Sequence, residues 1–249
     1  MESSKLPFQY WFIAMHLLTS TKKSFSAKEI QRQIGHKRYE SIWAMVHKIR
    51  SVMGLRDAEY TLCDEVELDD GFFETVSITR DKTKPLKCGR GSEKQSKVLI
   101  SVESKPAPDS FNEKKHNTNK RVKYIKMRII NSLKKEETTK TVQQMVDKGS
   151  KIVSDASTSY NDLNQDYIHE GQVISKEEIN TILPWVHKAI SNAKRLLLDI
   201  HHRIDDDFLQ NYLNEFCPKF NRRYFDNLFD RAMIAAVSYR WNYLGEVNR

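Results

Sequence analysis

The chain has 249 residues, 39% hydrophobic and 30% charged, with 41 Lys+Arg against 33 Asp+Glu for a net charge of +8. The apolar share is enough to bury a core, which excludes wholesale disorder, and no apolar run approaches the ~18 residues of a membrane span. Cys63, Cys88 and Cys217 are too scattered for a zinc ribbon or disulfide framework, and Met1 to Tyr10 lacks a secretory layout, so a soluble cytoplasmic protein with no membrane partner is expected.

The first 55 residues read as helices. Phe8, Trp11, Phe12, Met15 and Leu18 recur at helical spacing, and the pattern ends at Thr19 and Ser20. Ser26 caps a short helix, Ala27 to Ile34, with Glu29 three residues on in a capping-box arrangement; Gly35 stops it. A longer helix runs from Tyr39 to about Met53, its apolar face Ile42, Trp43, Val46, Ile49 and Met53. Short helix, Gly-containing turn and longer basic helix is the layout of a helix-turn-helix, with Lys37, Arg38 and Tyr39 at the leading end where such modules touch DNA.

Strands follow. Glu65 to Glu74 is acidic and punctuated by Val66, Leu68 and Phe72; Lys97 to Ser104 and Lys123 to Asn131 are two more, separated by a polar stretch, Lys105 to Lys120. Lys135 to Lys148 reads as an amphipathic helix feeding a brief strand, Lys151 to Asp155, and Tyr167 to Ile174 as a further strand. The last third is helical: a stripe of Ile182, Val186, Ile190, Ala193, Leu197 and Ile200 with Thr181 as N-cap, then Phe208 to Phe216 and Phe225 to Val237. The class is α/β, a mixed sheet packed with helices behind a small all-α domain. The expected boundaries are 1–58 and 61–245.

Charge is unevenly placed. Residues 1–60 carry +5, residues 61–79 carry −6 with no basic residue, residues 80–128 carry +10, and the rest sums to −1. Basic blocks suit a polyanion and a local carboxylate cluster suits a divalent cation; the plain alternative is solvated faces. Asp69 and Asp70 read as lying at the end of one strand and Asp155 at the end of another, where ligands of open sheets collect. Asp155 is equally placed to cap the helix starting near Ser157. His187 and Lys194, seven apart, share one side of a helix and flank its apolar stripe.

The strings EVELDDGFF (65–73), SDASTSYNDL (154–163), LPWVHKAISNAK (183–194) and LNEFCPKFNRR (213–223), in that order, resemble bacterial insertion-sequence transposases. The resemblance is to the subgroup with an RNase H-like catalytic domain in which His replaces the last Glu of the DDE triad. It covers nearly the whole chain, including SAKEIQRQIGHKRYESIWAMVHKIRSVM (26–53). It implies Asp69, Asp155 and His187 as catalytic metal ligands holding two divalent ions, Mg²⁺ or Mn²⁺, with Lys194 as the basic residue following by seven. Asp70 stands where relatives often have Glu, and the cysteine zinc ribbon with which relatives often begin is absent here. The implied activity is two-metal phosphoryl transfer: cleavage at element ends, then strand transfer into target DNA, with the protein acting as a homo-oligomer on terminal inverted repeats. Lys94 and the 80–128 block would hold DNA backbone, and Arg222 and Arg223 match a C-terminal motif that is structural or DNA-contacting. Two other readings stay open: a transposase-derived DNA-binding protein that no longer cuts, and a structure-specific nuclease on the same fold.

Overall fold

The computed structural model describes residues 4–77, 92, 94–106, 120–173, 182–201 and 203–239. In chain order its elements are α1 (Phe8–Ser20), α2 (Ala27–Ile34), α3 (Tyr39–Ala58), β1 (Glu65–Glu74), β2 (Gln95–Pro106), β3 (Lys120–Ile130), α4 (Lys135–Met145), β4 (Lys151–Asp155), a 3-10 helix (Thr158–Gln165), β5 (Ile168–Gln172), α5 (Pro184–Ile200), a 3-10 turn (Asp206–Phe208), α6 (Leu209–Asn221) and α7 (Leu228–Ser238). Among the described residues no helix is long and apolar enough to cross a membrane.

The chain forms two compact units. One comprises Met1–Glu59, Thr75–Arg80 and Arg195–Arg249; the other comprises Tyr60–Glu74 and Asp81–Lys194. The C-terminal helices therefore belong with the N-terminal ones, whereas the sequence reading grouped them with the sheet. The reason lies in long-range packing. Ala236 of α7 enters the apolar cluster of Trp11, Met15, Leu18, Ile30, Ile42, Val46 and Ile49. Glu215 of α6 is buried against Arg50 of α3, Oε2 accepting from Nε at 2.8 Å. α3 itself runs past its expected end at Met53 to Ala58, and Gly54 lets α6 pack close against it: a Cβ there would come within 2.2 Å of the Asn214 side chain on α6.

At the start of the helical unit, local chemistry behaves as expected. Ser26 Oγ accepts from the Glu29 N–H at 3.0 Å, and Gly35 closes α2 in the left-handed region at φ 74°. The box is one-sided, because the Glu29 carboxylate turns outward to Arg32 and Gln33. Gln31 Nε2 donates to the carbonyls of His36 and Lys37, which pins the turn leading into α3.

The second unit is a five-stranded mixed sheet in the order β3-β2-β1-β4-β5. β1, β2 and β3 are antiparallel neighbours, while β4 and β5 run parallel to β1. Alternation along β1 divides its side chains between two faces. Val66 and Leu68 join Leu99, Val142, Met145, Ile152, Tyr160 and Leu163 in the core under α4 and the 3-10 helix. Glu67, Asp69, Gly71 and Phe73 point to the opposite face, where α5 lies.

Candidate active site

β1 is longer than its parallel neighbour β4, and this difference makes the site. The parallel register runs from Glu65 opposite Lys151 to Leu68 opposite Ser154. One residue on, β4 ends at Asp155 while β1 continues through Asp69 to Glu74. Asp69 thus lies within β1, not at its end as the sequence reading had it; the strand end beside it is that of β4. Paired residues on neighbouring strands share a face, so Asp69 and Asp155 both project toward α5, and Asp70 projects to the other side.

α5 runs along β1 in matched steps. Glu67 Oε2 accepts from the N–H groups of Trp185 and Val186 at 2.8 and 2.9 Å. His187 Nδ1 lies 3.7 Å from Asp69 Oδ2. A Cβ on Gly71 would lie 3.6 Å from Ile190 Cδ1, an ordinary contact, and 3.0 Å from Ile100 Cδ1 on β2, so the tight neighbour of this glycine is the adjacent strand rather than the helix. Lys194 Nζ sits 5.6 Å from the centre of the Phe73 ring. Residues 187, 190 and 194 follow the i, i+3, i+7 spacing of one helix side, facing alternate residues of one strand. His187 and Lys194 therefore share a side, as their spacing implies.

The electrostatics are those of a site short of positive charge. Burial pushes the Asp69 carboxyl up to about 7, with the Asp70 and Asp155 charges adding to it and a hydrogen bond from the Asp70 N–H, at 2.8 Å, opposing it. Burial also lowers His187, leaving its imidazole neutral and able to donate a lone pair. The buried Tyr160 hydroxyl is held in its protonated form, first by burial and then by the charges of Asp70, Asp69 and Asp155. The cap of the following 3-10 helix is Ser157, whose Oγ accepts from the Ser159 N–H; Asp155 Oδ1 accepts from the Ser157 N–H at 3.3 Å, and a carboxylate has acceptor capacity beyond one such bond.

Carboxylate oxygen with one neutral imidazole is a donor set suited to a divalent ion, and Asp69, whose charge burial disfavours, is the residue a cation would stabilise most. Among the described residues, the sets of three whose ligand atoms all lie within 4.8 Å are Cys63, Asp64 and Glu103, and Asp205, Asp206 and Asp207. Asp69, Asp155 and His187 are more widely spaced than that. Thr181, expected as the N-cap of α5, lies outside the described residues.

The remaining expected residues lie apart. Lys37, Arg38 and Tyr39 are exposed at the start of α3, and Lys94 is exposed just before β2. Arg222 is turned inward: Nη1 donates to Asp57 Oδ1 at 2.9 Å and its side chain is only 11% exposed, so this guanidinium ties the end of α6 to α3. Arg223 stacks on Phe220 and Tyr224, its Nη1 donating to the Phe220 carbonyl. Within the basic 80–128 block, much of the described charge is used internally. Lys120 pairs with Glu65, Lys123 with Glu103, and buried Lys126 donates to the Tyr60 carbonyl.

Sequence reasoning missed Glu67. It is a carboxylate two residues before Asp69 on the same strand face, but alternation with Val66 and Leu68 puts it on the polar side of β1, so only its spacing from Asp69 could have singled it out.

The sequence profile of a family described as "ISXO2-like transposase domain" matches residues 61–221. No curated protein matches significantly. Among solved structures, the chain is similar to the "Mos1 transposase paired-end complex with left transposon end", at 11% identity and a TM-score of 0.36, covering 96% of this chain and 81% of that one. It is also similar to the "Crystal structure of the Mos1 Strand Transfer Complex", at 11% identity and a TM-score of 0.33, covering 96% and 80%.

Proposed function

Starting from the membership of this chain in the ISXO2-like transposase domain family, we propose that it cleaves DNA at the ends of an insertion sequence and transfers the freed strand into target DNA. The observation that supports this most is the placement of Asp69 and Asp155 on one face of adjacent parallel strands, with His187 3.7 Å from Asp69. Asp69, Asp155 and His187 would hold divalent ions, Mg²⁺ or Mn²⁺. Bound there, such ions would supply Lewis-acid activation of water or a DNA 3′-hydroxyl and neutralise charge on the phosphoryl group in transfer.

The chain's own residues do the rest. Asp69 and Asp155 provide hard anionic oxygens at fixed separation, because both sit on hydrogen-bonded strands rather than loops. His187 stays neutral through burial, so it offers nitrogen without adding charge. Lys194, on the same side of α5, is placed to contact a DNA phosphate. Lys37, Arg38 and Tyr39, exposed after a turn pinned by Gln31, would supply contacts to the terminal inverted repeats, and Lys94 contacts to backbone. The protein would act as a homo-oligomer on DNA in the cytoplasm.

The test is incubation of the protein with its flanking inverted repeats, Mn²⁺ and a plasmid. Joined products that vanish in Asp69→Ala support the reading. Binding to the repeats with neither nicking nor joining in any divalent metal would overturn it in favour of a DNA-binding protein that no longer cuts. Nicking without joining would make it a nuclease on this fold.

A further inference from the structure

We infer that Glu67 is a positioning residue for the catalytic pair: by capping the first turn of α5 from strand β1, it places His187 against Asp69. The inference rests on the reading of Asp69 and His187 as metal ligands, and adds a residue that holds no metal itself.

Four observations on one strand face carry it. Pro184 opens α5 and has no N–H to offer, so the first amides needing a partner are those of Trp185 and Val186. Both donate to one oxygen, Oε2 of Glu67, at 2.8 and 2.9 Å. A carboxylate at that end also complements the helix dipole. His187 follows immediately, and its N–H, 3.4 Å from the Leu183 carbonyl, closes the first turn. His187 is therefore in the part of the helix that frays first if the two preceding amides lose their acceptor.

Geometry makes the dependence steep. Sliding a helix by one residue moves it ~1.5 Å and turns it ~100°, which would carry His187 away from Asp69 altogether. The packing of Ile190 beside Gly71 does not fix the register of α5, because an apolar contact is not directional. Glu67 does fix it, two residues from Asp69 along a rigid strand and one and two residues from His187 along the helix. It is 4% exposed, so solvent is a poor substitute acceptor.

The test uses the full chain without DNA for binding and with DNA for turnover. Mn²⁺ affinity is read by titration with electron paramagnetic resonance, and amide hydrogen exchange is followed in the peptide spanning 184–190. Glu67→Ala and Glu67→Asp should bind Mn²⁺ about tenfold or more weakly, exchange faster in that peptide, and lose kcat with little change in DNA KM. The aspartate keeps the charge but falls short of the two amides. Glu67→Gln, which keeps an acceptor oxygen at the right reach, should recover most of the loss seen in Glu67→Ala. Asp69→Ala serves as the reference: parent-like Mn²⁺ binding in that variant overturns the reading of the site itself. If Asp69→Ala loses Mn²⁺ while Glu67→Ala and Glu67→Asp bind and exchange like the parent, or are merely less heat-stable, the inference alone is wrong. Should the alanine variant not fold, the aspartate variant decides on the same readouts.

Discussion

His187 on α5 faces Asp69 on β1 with Nδ1 and Oδ2 3.7 Å apart, and burial favours the neutral form of both side chains. A carboxylate whose charged form burial disfavours, held close to a neutral imidazole on rigid elements, forms a site that a cation would stabilise.

Asp69→Ala and Asp155→Ala should each lose cleavage and strand transfer by on the order of a thousandfold, or about 4 kcal/mol of transition-state stabilisation. Binding to end-sequence duplex should change little, since affinity comes from basic residues elsewhere. Gel-mobility titration beside a strand-transfer assay checks both halves. Near-parent joining by either variant removes that residue from the site.

Imidazole nitrogen suits Mn²⁺ better than Mg²⁺, so the parent should be more active with Mn²⁺. His187→Ala should be inactive in both metals, and His187→Glu should keep some Mg²⁺-supported cleavage because a carboxylate oxygen returns. If His187→Ala cuts as well as the parent, the third ligand is another residue.

Gly71→Ala should cost about 1–2 kcal/mol of stability and weaken Mn²⁺ binding, because the new Cβ would meet Ile100 Cδ1 at 3.0 Å and Ile190 Cδ1 at 3.6 Å. Ile100→Val deletes the nearer of those two carbons. The double variant Gly71→Ala/Ile100→Val should therefore be more stable than the sum of the single effects by at least about 0.5 kcal/mol in urea unfolding. Simple additivity would show that the Gly71–Ile100 contact between β1 and β2 does not limit packing there.

Glu215 is buried among Arg50, Lys219 and Ser24, with Oε1 accepting from Ser24 at 2.6 Å and Lys219 at 3.3 Å. Burial works against its ionisation, but the Arg50 and Lys219 charges and the Ser24 and Arg50 hydrogen bonds outweigh it, so the carboxyl lies below its usual range. A depressed acid stabilises the fold above its unfolded pKa of ~4.3 and loses that contribution as pH falls through the folded value. Glu215→Ala should cost about 3–5 kcal/mol, since it leaves Arg50 buried without its carboxylate. It should also flatten the decline in stability below pH 4. An unchanged acid limb in thermal melts would contradict the assignment.

Lys37→Ala with Arg38→Ala should weaken binding to element ends more than to random duplex, since both side chains are exposed at the start of α3. Parallel titrations at one salt concentration distinguish the cases. Equal losses on both DNAs would mean backbone contact only.

Most elements could be read from sequence because their determinants are local. Ser26 and Gly35 bound α2 through bonds within four residues, and the 187–194 spacing puts His187 and Lys194 on one side by helical geometry alone. Asp69, Asp155 and His187 were legible as candidates from residue type and order. The tertiary structure decided what those candidates face. Asp69 proved to lie within its strand because only the register with β4 shows which strand ends there. Glu67 read as one more acidic residue until α5 brought two amides to it, and Arg222 stood between a structural and a DNA-contacting role until Asp57 took it up. Periodicity and capping act over one or two turns and are written in neighbouring residues. A buried charge is defined by a partner more than a hundred residues away, and a single sequence does not say which of many opposite charges that partner is.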